Sequence, residues 1–282
     1  MGLETNAAAL LLKIRRDDVP FGRVLTLGHQ HLHLEPAAYR RILARLGRPL
    51  TDEVPVYADS LLEALGATAV EALDASTYEG ATRLHDLNEP VPVSWHEQFD
   101  LVFDGGTLEH VFNFPTALKN CMQMVKPGGR FVTVTLPNNW CGHGFYQFSP
   151  ELFFRALGPE NGFSVVEMYF ADVEGRHVYR VVDPAAVRER VQLWTADPVF
   201  LLVHARRDAV CDIFSRVPQQ SDYVSGWAAE RSAPRPKRFE AWKESPLLRP
   251  IRRVRRHMLQ RRHRRIFSFR NRAFYQPADL GS

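Results

Sequence analysis

Residues 99–136 read FDLVFDGGTLEHVFNFPTALKNCMQMVKPGGRFVTVTL. Three elements follow one another here. Residues 99–103 are a short apolar run closed by Asp104, the length and make-up of a buried strand. Pro115 suits the first turn of a helix, where its missing N–H would go unbonded in any case, and that helix should run to about Val125. Lys126-Pro127-Gly128-Gly129 stops it. Residues 130–136 are rich in β-branched side chains and read as the next strand.

The same alternation extends in both directions. Upstream, 23–27 is a strand ending at Gly28, and Glu35-Pro36 opens a helix with Tyr39, Ile42, Leu43 and Leu46 on one face. A short helix is expected over 60–65, then strands over 69–73, ended by Asp74, and 81–84, ended by Asp86. Downstream, Ser149-Pro150-Glu151 should start a helix, with serine as cap and an acid near the positive end of the dipole. Strands over 163–170 and 199–205 follow, with a helix capped by Asp183-Pro184 between them. Strands and helices at this spacing predict an α/β fold: a doubly wound, mostly parallel seven-stranded sheet covered on both faces. A ligand then sits outside the carboxyl ends of the strands. Gly28, Asp74, Asp86 and Asp104 all fall at such ends. Asp and Gly are also common wherever strands stop, so it is their succession that points to a site.

The chain resembles the class I S-adenosylmethionine-dependent methyltransferases, in particular the type 11 group. The resemblance covers about 21–206 and is sharpest in FDLVFDGGTLEHV (99–111) followed by VKPGGRF (125–131). It implies a Rossmann-like methyltransferase fold and S-adenosylmethionine as cofactor. Gly28 then stands for the first glycine of the turn under the cofactor's methionine half. Asp74 would accept from the ribose hydroxyls, Asp86 from the adenine amino group with Leu87 against the ring, and residues 104–107, Asp104 and Gly105 among them, would lie beside the methyl sulfonium. The chain departs from the family at the first motif, which usually reads acid-x-Gly-x-Gly-x-Gly. Thr26, Gly28, Gln30 and Leu32 occupy those places, so the glycine-rich motif is degenerate and Gln30 is left to meet the methionine carboxylate or amine.

Two segments could supply the acceptor side. Glu109-His110 follows the fourth strand, and His110 could take a proton from a hydroxyl or could cap a helix start. The loop 137–149, PNNWCGHGFYQFS, is rich in glycine and aromatics and leaves a strand's carboxyl end. Asn138, His143 and Tyr146 are its candidates for substrate contact, His143 as a second base; a packed loop covering the sheet edge is the alternative. GHGFYQFSPELF (142–153) is similar to a subgroup found with glycan and natural-product enzymes. His29, His31 and His33 alternate after the first strand, but no further ligand lies at metal spacing, and no metal is expected.

Composition bounds the rest. With 45% hydrophobic and 24% charged residues over 282 positions, a substantial core is possible. Three unpaired cysteines suggest neither a disulfide framework nor a cysteine-based zinc site. No apolar run nears the roughly 18 residues of a membrane span. The short run 7–12 precedes Lys13, Arg15 and Arg16, the wrong order for a signal peptide, so a cytoplasmic protein is expected. The net charge of +4 hides an asymmetry. From Pro246 onward there are 11 Arg against one acid, whereas the residues before it carry 25 basic and 31 acidic side chains. The expected organisation is therefore an N-terminal helix (1–20), the methyltransferase-like domain (21–208), an irregular extension (209–245) and an Arg-rich tail (246–282). Leu247, Ile251, Val254 and Met258 form one helical stripe in that tail, which suits an anionic membrane surface or an acidic partner, but can equally pack on the domain or be held by its acidic body; nucleic acid is disfavoured for want of a compact motif. The functional expectation is methyl transfer to a small-molecule, glycan or natural-product acceptor, with oxygen mildly preferred. The alternative is a non-catalytic methyltransferase-like scaffold acting through its tail.

Overall fold

A computed structural model describes residues 2–16, 21–188, 190–225 and 267–281 of the chain. The elements in chain order are β1 (Gly2–Glu4), α1 (Thr5–Arg16), β2 (Gly22–Leu27), β3 (His31–His33), α2 (Pro36–Arg45), α3 (Asp59–Ala64), β4 (Ala67–Asp74), β5 (Arg83–Leu84), β6 (Phe99–Asp104), α4 (Phe114–Met124), β7 (Val125–Thr135), α5 (Pro150–Ala156), β8 (Phe163–Asp172), β9 (Val178–Val181), α6 (Pro184–Val187), β10 (Val199–Arg207) and β11 (Tyr275–Ala278).

The expected α/β fold is present. One sheet has the order β11-β9-β8-β10-β7-β6-β2-β4-β5. From β7 to β5 every pairing is parallel, and β10 runs antiparallel between β7 and β8. All seven expected strands are found, but the sheet has nine, because β9 and β11 extend its far edge. Successive side chains of a strand point to opposite faces, and each face has its own core. Leu25 and Leu27 of β2, Phe99 and Val102 of β6, Phe131 of β7, and Leu201 and Val203 of β10 pack with α4 and α5. Val24, Leu101, Phe103, Val132 and Leu202 face the other way, onto α1, α2 and α3.

Several local expectations shift. Strand β7 begins at Val125, so the Lys126–Gly129 punctuation lies inside the strand, where the β6–β7 register slips. Gly128 has φ +81°, and a Cβ at Gly129 would stand 2.9 Å from the Asp100 carbonyl. Ser149 precedes α5 but makes no side-chain cap, whereas Asp183 does cap α6, accepting from the Ala185 amide at 2.8 Å. Helix α1 is no surface helix: residues 7–12 and Ile14 are buried. It lies between the sheet and α2, and β1, just ahead of it, pairs in parallel with β3.

The largest correction concerns the tail. Its end is part of the domain. Strand β11 pairs with β9, Phe274 and Tyr275 are buried, and the Tyr275 hydroxyl donates to the Gln192 carbonyl at 3.0 Å. An aromatic pair on extended backbone can add to an open sheet edge as readily as any strand from the body, so a count of apolar residues in 246–282 underestimates what its last strand buries. The SAPRPK segment and the stripe from Leu247 to Met258 lie outside the described residues. Among the described residues no helix is long and apolar enough to cross a membrane.

Candidate functional site

The parallel strands β2, β4, β5 and β6 end side by side, and the expected residues gather there. Gly28 closes β2 with φ +71°, a conformation that glycine adopts without steric cost, and its amide donates to the Leu73 carbonyl at 2.7 Å. This bond ties the end of β2 to β4. Asp74 is half-buried; one oxygen accepts from the Ser76 amide at 3.0 Å, and the other takes no hydrogen bond from the described residues. Asp86 is exposed, and the Asn88 amide and side chain hold its carboxyl below the usual range. Leu87 beside it is buried.

Asp104 is fully buried at the end of β6. One oxygen accepts from the Thr107 and Leu108 amides at 2.8 and 3.3 Å, the other from the Thr133 hydroxyl at 2.7 Å. Burial nevertheless pushes the carboxyl up, to about 6. The Thr107 hydroxyl donates to the Leu27 carbonyl at 2.7 Å, joining the ends of β6 and β2.

The loop after β2 shows what replaces the missing glycines. Gln30 is buried, and its Nε2 donates to the same Leu27 carbonyl. Its Oε1 has no partner and presses on Gly105, where a Cβ would overlap it. His29 stacks on Tyr57 with ring centroids 3.6 Å apart and bonds to the Glu79 carbonyl and to Asp59. His31 reaches the Glu79 carboxylate at 3.5 Å, packs on Tyr57 as well, and stacks on His33 with ring centroids 5.9 Å apart, so the three alternating histidines form one cluster with Tyr57 and Glu79.

A cavity of about 210 Å³ opens next to Gly105 and Gly106, with Glu109, His143, Trp140 and Phe200 in its wall. The N-terminus closes another side through Gly2, Glu4 and Asn6. Glu109 is buried; its Oε2 accepts from the Thr135 hydroxyl at 3.1 Å and its Oε1 has no partner. Burial first, and the charge of Asp104 second, push its carboxyl up to about 8. Burial and then His143 lower the affinity of His110 for a proton, and the two rings lie 5.0 Å apart. The loop 137–149 is pinned to the Glu109 carbonyl by the amides of Phe145 and Tyr146, at 2.8 and 3.2 Å. Gly144 permits this approach, since a Cβ there would stand 2.8 Å from that oxygen.

Of the acceptor-side candidates only His143 lines this cavity; His110 stands beside it without lining it, and two others lie elsewhere. The Asn138 side chain holds Thr195 at 2.7 Å and the Val199 amide at 3.4 Å, away from this cavity. The Tyr146 hydroxyl donates to the Phe112 carbonyl at 2.7 Å and its ring packs on Phe114 and Phe148. Both stabilise the loop and neither lines the cavity beside Gly105. Conversely, Glu109, Trp140, Phe200 and the N-terminal strand are wall residues that were not singled out. Glu109 was within reach of reading, next to His110. The N-terminal strand carries no signal of its own, because only the β1–β3 pairing brings it over the site.

The residues fit S-adenosylmethionine. Asp74 keeps an oxygen free for a ribose hydroxyl, and the orphaned Gln30 Oε1 at Gly105 is a buried acceptor awaiting a donor such as the cofactor's ammonium.

Residues 68–133 match the family model of a methyltransferase domain. The match starts after the degenerate first motif and contains Asp74, Asp86, Asp104, Gly105 and Glu109. No curated protein matches the chain. Similar solved structures include the N-methyltransferase NodS from Bradyrhizobium japonicum WM9, at 15% identity over 72% of this chain and 96% of that one, with a TM-score of 0.40. Another is the 1,6-didemethyltoxoflavin-N1-methyltransferase of Burkholderia thailandensis, at 17% identity over 73% of this chain and 80% of that one, also with a TM-score of 0.40. The likeness rests on the domain match: residues 68–133, which run from β4 to β7 of the sheet just described, match a methyltransferase domain.

Proposed function

We propose that the chain transfers a methyl group from S-adenosylmethionine to a hydroxyl of a small-molecule acceptor, of the glycan or natural-product kind, held in the cavity beside Gly105 and Gly106. The position of that cavity carries the reading. It opens at the end of β6, on the residues that the resemblance puts beside the sulfonium, and Glu109 and His143 stand in its wall.

Asp74 holds the ribose, Asp86 and Leu87 the adenine, and Gly28 and Gln30 the methionine end. Asp104 has both oxygens engaged within the protein, so it shapes the turn at Gly105 instead of meeting ligand. The bound cofactor supplies a methyl group on a positively charged sulfur. The acceptor's O–C bond forms as the C–S bond breaks, and the hydroxyl proton passes to a base and then to water. Alignment of oxygen, methyl and sulfur is the protein's main contribution. His110, whose affinity for a proton burial and then His143 lower, does not itself line the cavity; its ring lies 5.0 Å from that of His143, which does, and the pair can take that proton. Positioned bases are worth about 10²–10⁴ in rate.

The test is release of S-adenosylhomocysteine from S-adenosylmethionine in the presence of a panel of phenols, sugars and polyols. We expect acceptor-dependent release that His110→Ala slows at least tenfold. The altered first motif, with the Leu27 carbonyl taken by Gln30 and Thr107, supports as the second reading a non-catalytic methyltransferase-like scaffold that has lost the cofactor and acts through its basic tail. Absence of saturable cofactor binding would select it.

A further inference from the structure

We propose that Glu109, His110 and His143 form a site for one transition-metal dication of the zinc or manganese class at the wall of the acceptor cavity. One ligand atom from each of the three lies within 4.8 Å of the others. Two imidazoles and a carboxylate are a borderline donor set that suits zinc, manganese or ferrous iron better than magnesium or calcium.

The three side chains do not meet by accident of a mobile loop. The amides of Phe145 and Tyr146 close on the Glu109 carbonyl at 2.8 and 3.2 Å, and the His143 amide on the Trp140 carbonyl at 2.9 Å. These bonds bring the loop that carries His143 back over the turn that carries Glu109 and His110. Glu109 itself is fixed from behind: the Thr135 hydroxyl donates to Oε2 at 3.1 Å and leaves Oε1 buried, without a hydrogen-bond partner among the described residues. A hydroxyl that orients a ligating carboxylate is the outer-shell arrangement metal sites use. A buried acceptor oxygen without a partner is costly, and a cation would remove that cost. Tetrahedral coordination at the usual bond lengths sets ligand atoms about 3.3 Å apart. The two histidines are exposed, and closing the site requires their rings to turn by that difference.

Three positions for protein ligands leave at least one open toward the cavity, where Glu109 and His143 already face the space beside Gly105. There the ion could hold an acceptor oxygen and favour loss of its proton, replacing His110 as the group that activates the hydroxyl, since a ring nitrogen bound to metal takes no proton. On the methyltransferase reading, this selects acceptors that offer two neighbouring oxygens. That role rests on the methyltransferase reading; the binding site does not.

The experiment titrates Zn²⁺ alone, then Mn²⁺ alone, into the full chain with no cofactor present, followed by calorimetry, with the visible absorption of Co²⁺ as a spectroscopic readout. One equivalent of Zn²⁺ should bind at micromolar affinity or tighter. Glu109→Gln and His143→Ala should each weaken it at least tenfold and change the Co²⁺ spectrum. His29→Ala and Cys141→Ser should leave it unchanged, which separates this site from the other histidines and from the nearby exposed thiol. Unchanged melting of the exposed variant His143→Ala establishes that a loss is local. No saturable binding up to millimolar Zn²⁺, or affinity within twofold of wild type in both ligand variants, would overturn the site. Either result leaves the methyltransferase reading standing, because that is judged by cofactor binding and product release.

Discussion

Glu167→Gln should cost the folded chain about 3 kcal/mol at pH 7, and the reason can be followed atom by atom. Glu167 lies on β8 with 7% of its side chain exposed. Its Oε2 accepts from Lys13 of α1 at 2.6 Å and from the Tyr169 hydroxyl at 2.7 Å; its Oε1 accepts from Nδ1 of His204 on β10 at 3.2 Å. Burial alone would push the carboxyl up, but the hydrogen bonds from His204, Lys13 and Tyr169 outweigh it and hold the group at about 2, against an ordinary 4.5. Burial keeps His204 below its usual value despite that bond, so it is a neutral donor. Each tenfold change in proton affinity is about 1.4 kcal/mol, which yields the figure of about 3 kcal/mol. The folded value is the lower one. The stabilisation is therefore fully present above pH 4.5 and is lost as the pH falls through about 2. The network also matters to the site, because Lys13 ties α1 to the sheet and α1 carries the N-terminal strand over the cavity. Urea unfolding of wild type and Glu167→Gln at pH 7 and pH 3 measures the effect. The difference should be about 3 kcal/mol at pH 7 and roughly 1 kcal/mol at pH 3. A difference below about 1 kcal/mol at pH 7, or one that does not shrink at pH 3, would refute the reasoning.

Tyr275→Ala should destabilise the chain by about 3–5 kcal/mol, the range for a large buried aromatic, as read by chemical denaturation; a change under about 1 kcal/mol would mean that β11 is not part of the folded sheet. Gly105→Ala should cost about 1–3 kcal/mol and weaken cofactor binding, because its Cβ would overlap Gln30 Oε1; Gln30→Ala should restore most of the lost stability in the double variant while cofactor binding stays weak. No recovery of stability in that double variant, followed by melting, would show that Gln30 is not what fills the space at Gly105.

Much of the fold was legible because its strands are short apolar runs with an acid or glycine at the end, and such runs mark buried parallel strands wherever they occur. The site followed from the same feature: Asp74, Asp86 and Asp104 sit at strand ends in the structure as in the reading. What escaped was set by distant pairing. Strand β11 shows nothing in its own residues of the β9 edge that receives it. Strand β1 lines the cavity only because β3 holds it there. Asn138 and Tyr146 have the chemistry of substrate contacts, yet Thr195 and the Phe112 carbonyl claim their polar atoms. Residue type alone could not tell a polar group that serves a ligand from one that serves its own loop. Glu109 illustrates the converse. The segment Glu109-His110 reads as acceptor-side through its histidine, and only the hydroxyl of Thr135 and the loop folded over it reveal that the glutamate is a buried carboxyl with one oxygen unclaimed among the described residues.

The central claim is that these strand ends hold S-adenosylmethionine despite the altered first motif. Calorimetric titration of the cofactor and of S-adenosylhomocysteine into wild type and Asp74→Ala tests it most directly. One site per chain is expected, with Asp74→Ala weaker by about 1.5–3 kcal/mol, the cost of losing hydrogen bonds to a charged acceptor. Absence of saturable binding at millimolar cofactor, or equal affinity in Asp74→Ala, would contradict it.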